Sequence, residues 1–352
     1  MYMPTWVGDV VMATPALRAI RRRFADAHVA LLVRGNAAPV LADGPWADRI
    51  ITLTRSKKRS PWSALGDTWA NARVLRRGRF DWAILLTNSF RSAVTVRLAG
   101  IRRRIGYDRD RRGFLLTDRA AVPREGDRYA MVPAVHYHNA LVRALGCDDP
   151  GDRLELVVNA ADRRAVGERL ARAGLDDRHP LVVVNPGASF GPSKLWLVER
   201  WAMVADRLAT DHGAAVVITC GPGEQELARR VGDMMCQPRV VFDSPMLTLG
   251  QLKAMIERCD LLLNNDTGPR HFAKALSRPV VTVFGSTHPG WTDTAYALER
   301  KVRIDVDCGP CHEKKCPPGH HKCMTGVSVD MVYHAAGGLL AGSGAACEVV
   351  GK

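Results

Sequence analysis

Short apolar segments alternate with helical patterns along nearly the whole chain, and this alternation constrains the fold more than any other feature of the sequence. Runs such as "HVALLVR" (28–34), "DWAILLT" (81–87) and "PLVVVNPG" (180–187) have the length and β-branched content of buried strands. Segments with helical periodicity separate them, for example at 63–77 and 195–212. Strands that alternate with helices form parallel sheets with crossover connections. We therefore predict an α/β protein with doubly wound parallel sheets.

The length of the chain predicts two domains, because 352 residues exceed what a single hydrophobic core usually serves. We assign residues 1–165 to an N-terminal domain, 166–330 to a C-terminal domain and 331–352 to a helical tail. The opening "MYMPT" contains Pro4 and is too short for an ordinary central strand. We therefore expect the first strand of the N-terminal domain to be truncated.

The formal net charge of +14 favours an anionic partner, such as nucleic acid, a membrane surface or a phosphorylated substrate. The alternative is that arginines are dispersed over solvated surface, and the sequence leaves both interpretations open. No apolar run approaches the roughly 20 residues that cross a bilayer, and no secretory signal begins the chain. We expect a cytoplasmic protein.

Polar, glycine-containing segments follow several predicted strands and lead into helices. In "NNDTGPRHFAKAL" (264–276), a hydroxyl, a glycine and basic residues gather at a helix start, where the N–H groups and the helix dipole favour an anion. In "NPGASFGPSKLW" (185–196), Ser189 and Lys194 belong to a loop that can hold a phosphate, although the P-loop spacing is absent. A solvated lysine in an ordinary turn is the alternative.

Two carboxylates occupy comparable positions. Asp9 follows Gly8 at the start of the first helix, where it serves either as a helix cap or as a general base. Glu224 follows a strand in "CGPGEQELA" (220–228), where it either favours the helix dipole or binds the two hydroxyls of a ribose. The residues alone leave these alternatives open.

Four segments in this order resemble the bacterial ADP-heptose:lipopolysaccharide heptosyltransferases of glycosyltransferase family 9, and are most similar to the heptosyltransferase II type. They are "WVGDVVMATPALRAIRRRF", "VVNPGASFGPSKLW", "NNDTGPRHFAKAL" and "PVVTVFGSTHPGWTD". The resemblance spans about residues 5–330. It implies the GT-B architecture, with two Rossmann-like domains that face an inter-domain cleft. It also implies inverting transfer of heptose from ADP-L-glycero-D-manno-heptose to the lipopolysaccharide inner core, with the second heptose as the expected addition.

The resemblance also implies roles for individual residues. Asp9 matches the general base, Lys194 matches a lysine near the donor diphosphate, and Glu224 would lie near the adenosine ribose. The donor-binding residues that we expect from the loop and the resemblance are Ser189, Lys194, Glu224, Asp266, Thr267, Gly268 and His271. No cofactor is required if Lys194 and the helix start absorb the charge that develops on the leaving diphosphate.

A basic segment with Arg55, Lys57, Lys58 and Arg59 lies in the predicted acceptor domain. Such charge suits a phosphorylated lipid A–core acceptor and peripheral attachment to the inner face of the inner membrane. The alternative is solvated side chains on a loop. We expect no nucleic acid as a partner.

Four cysteines, Cys308, Cys311, Cys316 and Cys323, have the spacing C-x2-C-x4-C-x6-C. Four thiols in so short a segment suggest a structural zinc site, with an iron–sulfur cluster as the softer option. Similar cysteine-rich loops occur in many heptosyltransferase-like sequences, so the resemblance does not imply a metal. Reduced thiols or a local disulfide are the alternatives.

Other functions stay open at this stage. The chain could be a family member with a different acceptor, a catalytically silent paralogue, or a basic, zinc-stapled nucleic-acid-binding protein. The last of these predicts recognition elements that the sequence lacks, and its aromatic content is only 6%. The presence of Asp9, Lys194 and Asp266 together argues against a silent paralogue.

Overall fold

A computed structural model of the chain describes residues 1–56, 60–175, 179–342 and 347–351. These residues form two compact units, Met1–Arg153 and Leu154–Lys352, which we call unit 1 and unit 2. The boundary between the units precedes the predicted one, which followed residue 165. That position falls within a helix, Ala160–Arg172, that packs against another helix of unit 2.

Unit 1 contains a parallel sheet and a small antiparallel hairpin. Its strands are β1 (Ala30–Arg34), β2 (Arg49–Leu53), β3 (Trp82–Leu85), β4 (Arg103–Tyr107), β5 (Asp118–Ala120), β6 (Arg124–Glu125) and β7 (Arg128–Tyr129). Its helices are α1 (Val7–Met12), α2 (Thr14–Arg23), α3 (Ala38–Leu41), α4 (Pro61–Arg77), α5 (Phe90–Leu98) and α6 (Ala134–Arg143), with a 3-10 turn at Gly113–Leu115. The apolar pattern does not predict β5, β6 or β7, because these strands are short and polar.

Residues 1–3 occupy the central position of this sheet, where a truncated strand was expected. Tyr2 bridges Leu32 of β1 and Leu85 of β3, both in parallel orientation. Its N–H donates to the carbonyl of Ile84 at 2.8 Å. The order across the sheet is therefore β2, β1, residues 1–3, β3, β4 and β5. Helix α1 follows this central segment directly, as the first helix of a Rossmann-like unit does.

An apolar cavity of about 410 Å³ lies at the amino ends of β1 and β3. Its lining includes Met1, Val29 and Trp82. The amine of Met1 donates to the carbonyl of Ala30 at 2.6 Å, and burial lowers the pKa of this amine to about 5. Ligands of parallel sheets bind at the carboxyl ends of the strands, so this cavity is at the wrong edge for the predicted site.

Unit 2 is a doubly wound unit around one parallel sheet. Its strands are β8 (Leu181–Asn185), β9 (Ala215–Thr219), β10 (Arg239–Phe242), β11 (Leu261–Asn265), β12 (Val280–Val283), β13 (Glu299–Ile304) and β14 (Cys347–Gly351). Its helices are α7 (Ala160–Arg172), α8 (Val198–His212), α9 (Gln225–Met234), α10 (Leu249–Arg258), α11 (Gly268–Ala275), α12 (Lys322–Thr325) and α13 (Val329–Leu340). Two 3-10 turns lie at Pro192–Lys194 and Pro289–Thr292.

The strand order in unit 2 is β10-β9-β8-β11-β12-β13-β14. The chain moves outward in one direction from β8 and then returns to add β11 on its other side. Such a reversal leaves a crevice at the carboxyl ends of the two strands. Both strands are buried along their whole length, which explains why they appear in the sequence as continuous apolar runs.

The C-terminal segment differs from the predicted helical tail at 331–352. Helix α13 packs against α8, and its Val332, Ala336 and Leu339 join the core. After α13 the chain returns as β14, which pairs in parallel with β13. Without β14, strand β13 would be the edge of the sheet, with unpaired N–H and C=O groups that a further strand can pair with. The sequence of the tail does not show this pairing partner, so the strand was not predicted. Among the described residues, every helix is too short or too polar to span a bilayer.

Candidate active site

The predicted donor-binding residues of unit 2 come together at one edge of its sheet. Lys194 follows β8, Glu224 follows β9, and Asp266 follows β11. These strands are neighbours in the order β9-β8-β11, and all pairs are parallel. Their carboxyl ends therefore lie side by side, and the site occupies the crevice where the strand order reverses.

A buried ion pair forms the centre of this site. The ammonium of Lys194 donates to Oδ2 of Asp266 at 2.6 Å and to its backbone carbonyl at 3.0 Å. The hydroxyl of Thr287, which follows β12, donates to the same carboxylate oxygen at 2.7 Å. The ring of Phe190 lies 5.0 Å from the Lys194 ammonium. Both charged side chains are about nine-tenths buried, which makes this charge pairing strong and specific in geometry.

Helix α11 begins directly beside the ion pair. Thr267 is its N-cap residue, but the Thr267 side chain makes no capping hydrogen bond and donates instead to the carbonyl of Asn265 at 3.3 Å. Gly268 is the first helical residue, and Pro269 follows it, where a missing N–H costs nothing. A helix start without a side-chain cap presents its first N–H groups to an incoming anion. This geometry suits the predicted diphosphate contact.

Arg270 and Lys274, two basic residues of this helix, are paired with an internal carboxylate. Both side chains point into the unit and bind the buried carboxylate of Glu299 on β13. Lys274 Nζ lies 2.7 Å from Glu299 Oε2, and Arg270 Nη2 lies 3.1 Å from the same oxygen. Arg270 also donates to Oδ1 of Asp266 at 3.2 Å. The charges of Arg270 and Lys274 are therefore neutralised inside the unit by Glu299, and Arg270 also links Glu299 to Asp266.

Glu299 was not predicted as a residue of this network, although the sequence contains an indication that an acidic partner is needed. Arg270 and Lys274 are four residues apart and so share one face of α11 with apolar neighbours. Two cations on a buried face require an acidic partner, because an unpaired buried charge is very costly. Its position on β13 could not be read from the sequence, since β13 itself was not predicted.

The charges of this network set the protonation states of its members. Burial opposes ionisation of Asp266, but Lys194 and Arg270 outweigh burial and hold its pKa well below the usual range. Against the same opposition from burial, Arg270 and Lys274 lower the pKa of Glu299 to about 2. Burial, reinforced by Arg270, lowers the pKa of Lys274 to about 8. Both carboxylates are therefore ionised at neutral pH.

His271 is buried beside this network and is neutral. Burial, with the charges of Arg270 and Lys274, places the pKa of its imidazole well below 6.5. Its Nδ1 is buried and has no hydrogen-bond partner among the described residues. A buried ring nitrogen without a partner is uncommon, and it leaves one polar atom of the predicted donor site available.

A Glu299→Gln variant is expected to lower the free energy of unfolding by about 3–5 kcal/mol at neutral pH, because it leaves two buried cations without their carboxylate. The pKa of Glu299 is depressed from 4.5 to about 2, so its contribution is present above pH 4.5 and is lost as the pH falls toward 2. Urea unfolding of both proteins should show the difference shrinking through this window. A difference that is the same at every pH would contradict the pairing.

Glu224 lies against the backbone of the loop that follows β8. Its Oε2 accepts a hydrogen bond from the N–H of Gly221 at 2.9 Å. A Cβ placed on Gly187 would lie only 2.0 Å from the same oxygen, so the lack of a side chain there permits the close approach. Glu224 makes no side-chain cap on α9, which it precedes. Ser189 is exposed in the turn after β8.

Asp9 belongs to unit 1 and lies in the first turn of α1, where it is half-buried. The N-cap residue of α1 is Trp6, which makes no side-chain capping bond. Asp9 therefore lies within the helix and is not its N-cap residue. It follows the central segment of the unit 1 sheet, at the carboxyl edge where substrates of such sheets bind.

The predicted acceptor residues are only partly within the described part of the chain. Arg55 is exposed just after β2. Lys57, Lys58 and Arg59 lie outside the described residues. The acceptor role of this segment stays a prediction.

The cysteine-rich segment supports the turn that carries Lys194. Ser193, the residue before Lys194, donates its N–H to the carbonyl of Lys314 at 3.2 Å and its hydroxyl to that of Glu313 at 2.5 Å. Nε2 of His321 lies 3.0 Å from the carbonyl of Ser193. These contacts fix the backbone of the turn that carries Lys194. The sequence motif gave no indication of this role.

The four cysteines of this segment are free thiols. Across the described ranges, no three His, Cys, Asp or Glu side chains are arranged to hold a metal ion. Nε2 of His320 lies 3.9 Å from the sulfur of Cys308. The structural zinc stays a prediction that no step of the chemistry uses.

The sequence profile of glycosyltransferase family 9, the heptosyltransferases, matches residues 68–322. The chain belongs to this family. Lipopolysaccharide heptosyltransferase 2 of Escherichia coli strain K12 is 25% identical to it over 347 residues, which cover 96% of this chain and 97% of that protein. The chain is therefore similar to a heptosyltransferase along its whole length, and the nucleic-acid-binding alternative is not favoured.

Solved structures confirm the predicted fold. A family 9 glycosyltransferase from Veillonella parvula aligns with a TM-score of 0.82 at 23% identity, covering 97% of this chain and 96% of that one. The E. coli ADP-heptose lipopolysaccharide heptosyltransferase II aligns with a TM-score of 0.78 at 24% identity, covering 97% and 98%. This family 9 chain is thus an α/β glycosyltransferase with the GT-B fold.

Proposed function

We propose that this family 9 glycosyltransferase moves heptose from ADP-L-glycero-D-manno-heptose to the inner core of lipopolysaccharide, and that it adds the second heptose. The observation that carries the proposal is the buried Lys194–Asp266–Thr287 cluster beside the uncapped start of α11. A fixed cation and free helix N–H groups at a topological switch point suit the diphosphate of a nucleotide sugar. The similarity to E. coli heptosyltransferase 2 supports the choice of sugar and acceptor.

The proposed reaction is a single displacement with inversion. A hydroxyl of the acceptor attacks the anomeric carbon of the heptose, while Asp9 accepts the proton of that hydroxyl. The bond between the anomeric carbon and the diphosphate oxygen breaks, and its electron pair leaves with ADP. Lys194 and the N–H groups at Thr267 and Gly268 stabilise the charge that grows on the diphosphate. These groups supply the charge stabilisation without a metal cofactor.

The other donor contacts follow from the positions of the remaining residues. His271 is neutral and has a buried ring nitrogen without a partner, so it suits a hydrogen bond to a phosphate oxygen. Glu224 lies beside the Gly187 loop, where its carboxylate would bind the ribose hydroxyls. Ser189 is exposed in the same loop and would donate to a phosphate.

ADP release would test the proposed function. Purified protein is mixed with ADP-heptose and a set of heptose-deficient lipopolysaccharide acceptors, and ADP is measured with time. We expect acceptor-dependent release, greatest with an acceptor that already carries one heptose. Release with none of the acceptors from a folded protein would contradict the proposal and favour a silent paralogue or another donor. A preference for the bare Kdo region would instead assign the first heptose.

A Glu224→Ala variant is expected to raise the KM for ADP-heptose about 10- to 100-fold and to change kcat by no more than about twofold. Hydrogen bonds from a carboxylate to ribose hydroxyls are made equally in the ground state and the transition state, and each contributes about 1.5–3 kcal/mol. Glu226→Ala is the matched control, because Glu226 is exposed on the same helix. Equal effects of the two substitutions would contradict the ribose contact.

A further inference from the structure

Helix α4 of unit 1 presents a large apolar face to solvent. Trp62, Leu65 and Trp69 are 81%, 55% and 56% exposed, and their spacing places them on one side of the helix. We call this the α4 aromatic face. Two exposed tryptophans on one helix form a patch of the kind that marks an interaction surface.

The orientation of α4 is fixed, so this face cannot turn inward. Ala72 and Leu75 of the same helix are buried in the core of unit 1. Asn71 anchors the helix to the end of β2, because its side chain accepts from the N–H of Thr54 at 2.8 Å and donates to the carbonyl of Thr54 at 3.0 Å. The helix begins with a complete capping box between Ser60 and Ser63. The aromatic face is therefore a permanent feature of the surface.

The surroundings of the α4 aromatic face are strongly basic. Arg73 is exposed one turn beyond Trp69, on the same side, and Arg55 is exposed shortly before the helix. In the sequence, residues 54–77 contain seven lysines or arginines and one acidic residue, Asp67. That carboxylate is buried and accepts from the N–H of Ser56 at 3.0 Å and from its hydroxyl at 2.7 Å. The exposed charge beside the tryptophans is therefore positive.

The location of this face connects it to the proposed chemistry. Helix α1, with Asp9, follows the central segment of the sheet, α4 follows β2 and α5 follows β3, and these strands are parallel. The starts of the three helices therefore lie at the same edge of unit 1. Phe90 at the start of α5 is also exposed, and its ring lies 6.2 Å from that of the exposed Phe114. Apolar and basic groups thus border the edge that carries Asp9.

We propose that the α4 aromatic face, with Arg55 and Arg73, docks the protein on the surface of an anionic lipid bilayer. Tryptophan favours the level of the lipid headgroups, and arginines beside it attract anionic headgroups by about 1 kcal/mol each. The inference rests on the proposed function in one respect, since a lipid-linked acceptor would be held in such a bilayer. Docking through α4 then brings that acceptor to the edge of unit 1 at which Asp9 lies.

A second copy of the chain fits this face less well than a bilayer. A symmetric dimer through α4 would place the same basic segment of both copies against one another. Like charges that face each other across an interface are destabilising, whereas an anionic bilayer neutralises them. The charge beside the tryptophans therefore selects a lipid surface over a second copy.

Vesicle flotation with the full chain tests the docking. The probes are vesicles of phosphatidylcholine alone and of phosphatidylcholine mixed with phosphatidylglycerol. We expect at least about tenfold stronger binding to the mixed vesicles, and a fall in binding as salt is raised. The double variant Trp62→Ser, Trp69→Ser should lose about tenfold or more of this binding, and Arg73→Gln about fivefold. Met203→Ser is the matched control, because Met203 is an exposed apolar residue of unit 2.

Several outcomes would overturn the docking proposal. One is that the double serine variant binds mixed vesicles as strongly as the parent protein. Another is that the parent protein binds neither kind of vesicle. A third is that the parent protein is a dimer in sedimentation velocity, and that the double variant is monomeric but binds vesicles as the parent does. This result would assign the α4 aromatic face to a second copy of the chain. Thermal unfolding checks that the variants are folded.

Transfer assays separate the failure of docking from the failure of the proposed function. With a deacylated, water-soluble acceptor, the double serine variant should retain the parent kcat. With the acceptor embedded in mixed vesicles, the same variant should lose about tenfold in rate. Equal rates on embedded acceptor would contradict docking. If neither protein transfers heptose to any acceptor, the proposed function fails, while the flotation result still decides the docking.

Discussion

Lys194→Met is expected to lower kcat by about 10²- to 10³-fold, with a similar loss in kcat/KM. The ammonium of Lys194 is the buried cation of the ion pair at the uncapped start of α11. Charge develops on the diphosphate oxygen as ADP leaves, so a preorganised cation there stabilises the transition state more than the ground state. Methionine retains most of the apolar part of the side chain and removes the ammonium with its charge and N–H donors. Initial rates of ADP formation at saturating substrates measure the effect.

The consequences of this substitution for the fold are limited and can be controlled. Without Lys194, the carboxylate of Asp266 still has Arg270 and Thr287 as partners. Lys253→Met is the matched control, since Lys253 is also a buried lysine of unit 2 and donates to the carbonyl of Val157 at 2.7 Å. The control should lose stability and keep its kcat. A comparable loss of kcat in both variants would show that the effect of Lys194→Met is structural.

Asp9→Asn is expected to lower kcat by about 10²- to 10⁴-fold, because a carboxamide has the shape of the carboxylate but cannot accept the proton of the acceptor hydroxyl. The proposed donor contacts all lie in unit 2, whereas Asp9 is in unit 1. The affinity for ADP, measured by calorimetry, should therefore change by no more than about threefold. Lys194→Met should weaken ADP binding as well as the rate.

Asp26→Asn is the control for this variant, since Asp26 is an exposed carboxylate of the same unit. It should keep the parent rate. If Asp9→Asn retains more than about a tenth of the parent kcat, Asp9 is not the general base. If instead Asp9→Asn and Lys194→Met weaken ADP binding equally, the division of roles between the two units is wrong.

Much of the fold follows from local patterns. The continuous apolar runs of β8 and β11 are typical of strands buried on both faces, and the structure has them at the centre of the sheet. The strands that escaped prediction are those without such a pattern. Four of the six residues of β13 are charged, and β14 follows a helical segment. A polar strand is recognisable only by the neighbour with which it pairs.

The residues of the candidate site also include some that local patterns predict and others that they do not. Ser189, Lys194, Glu224 and Asp266 follow strand ends that the apolar pattern predicts, and the parallel order then brings them to one edge. The inward direction of Arg270 and Lys274 could not be predicted, because their partner Glu299 lies on another strand. The same holds for the contact between the cysteine-rich segment and Ser193.

The sequence by itself determined the alternation of strands and helices, the residue types that follow each strand, and the family to which they belong. These properties depend on neighbours a few residues apart. Only the tertiary structure decided which cations face the donor site and which are neutralised inside, where residues 1–3 insert into the sheet, and which side of α4 remains exposed. Each of these depends on contacts between segments far apart in the chain, because strand order and burial choose the partner of a charge or of an apolar face.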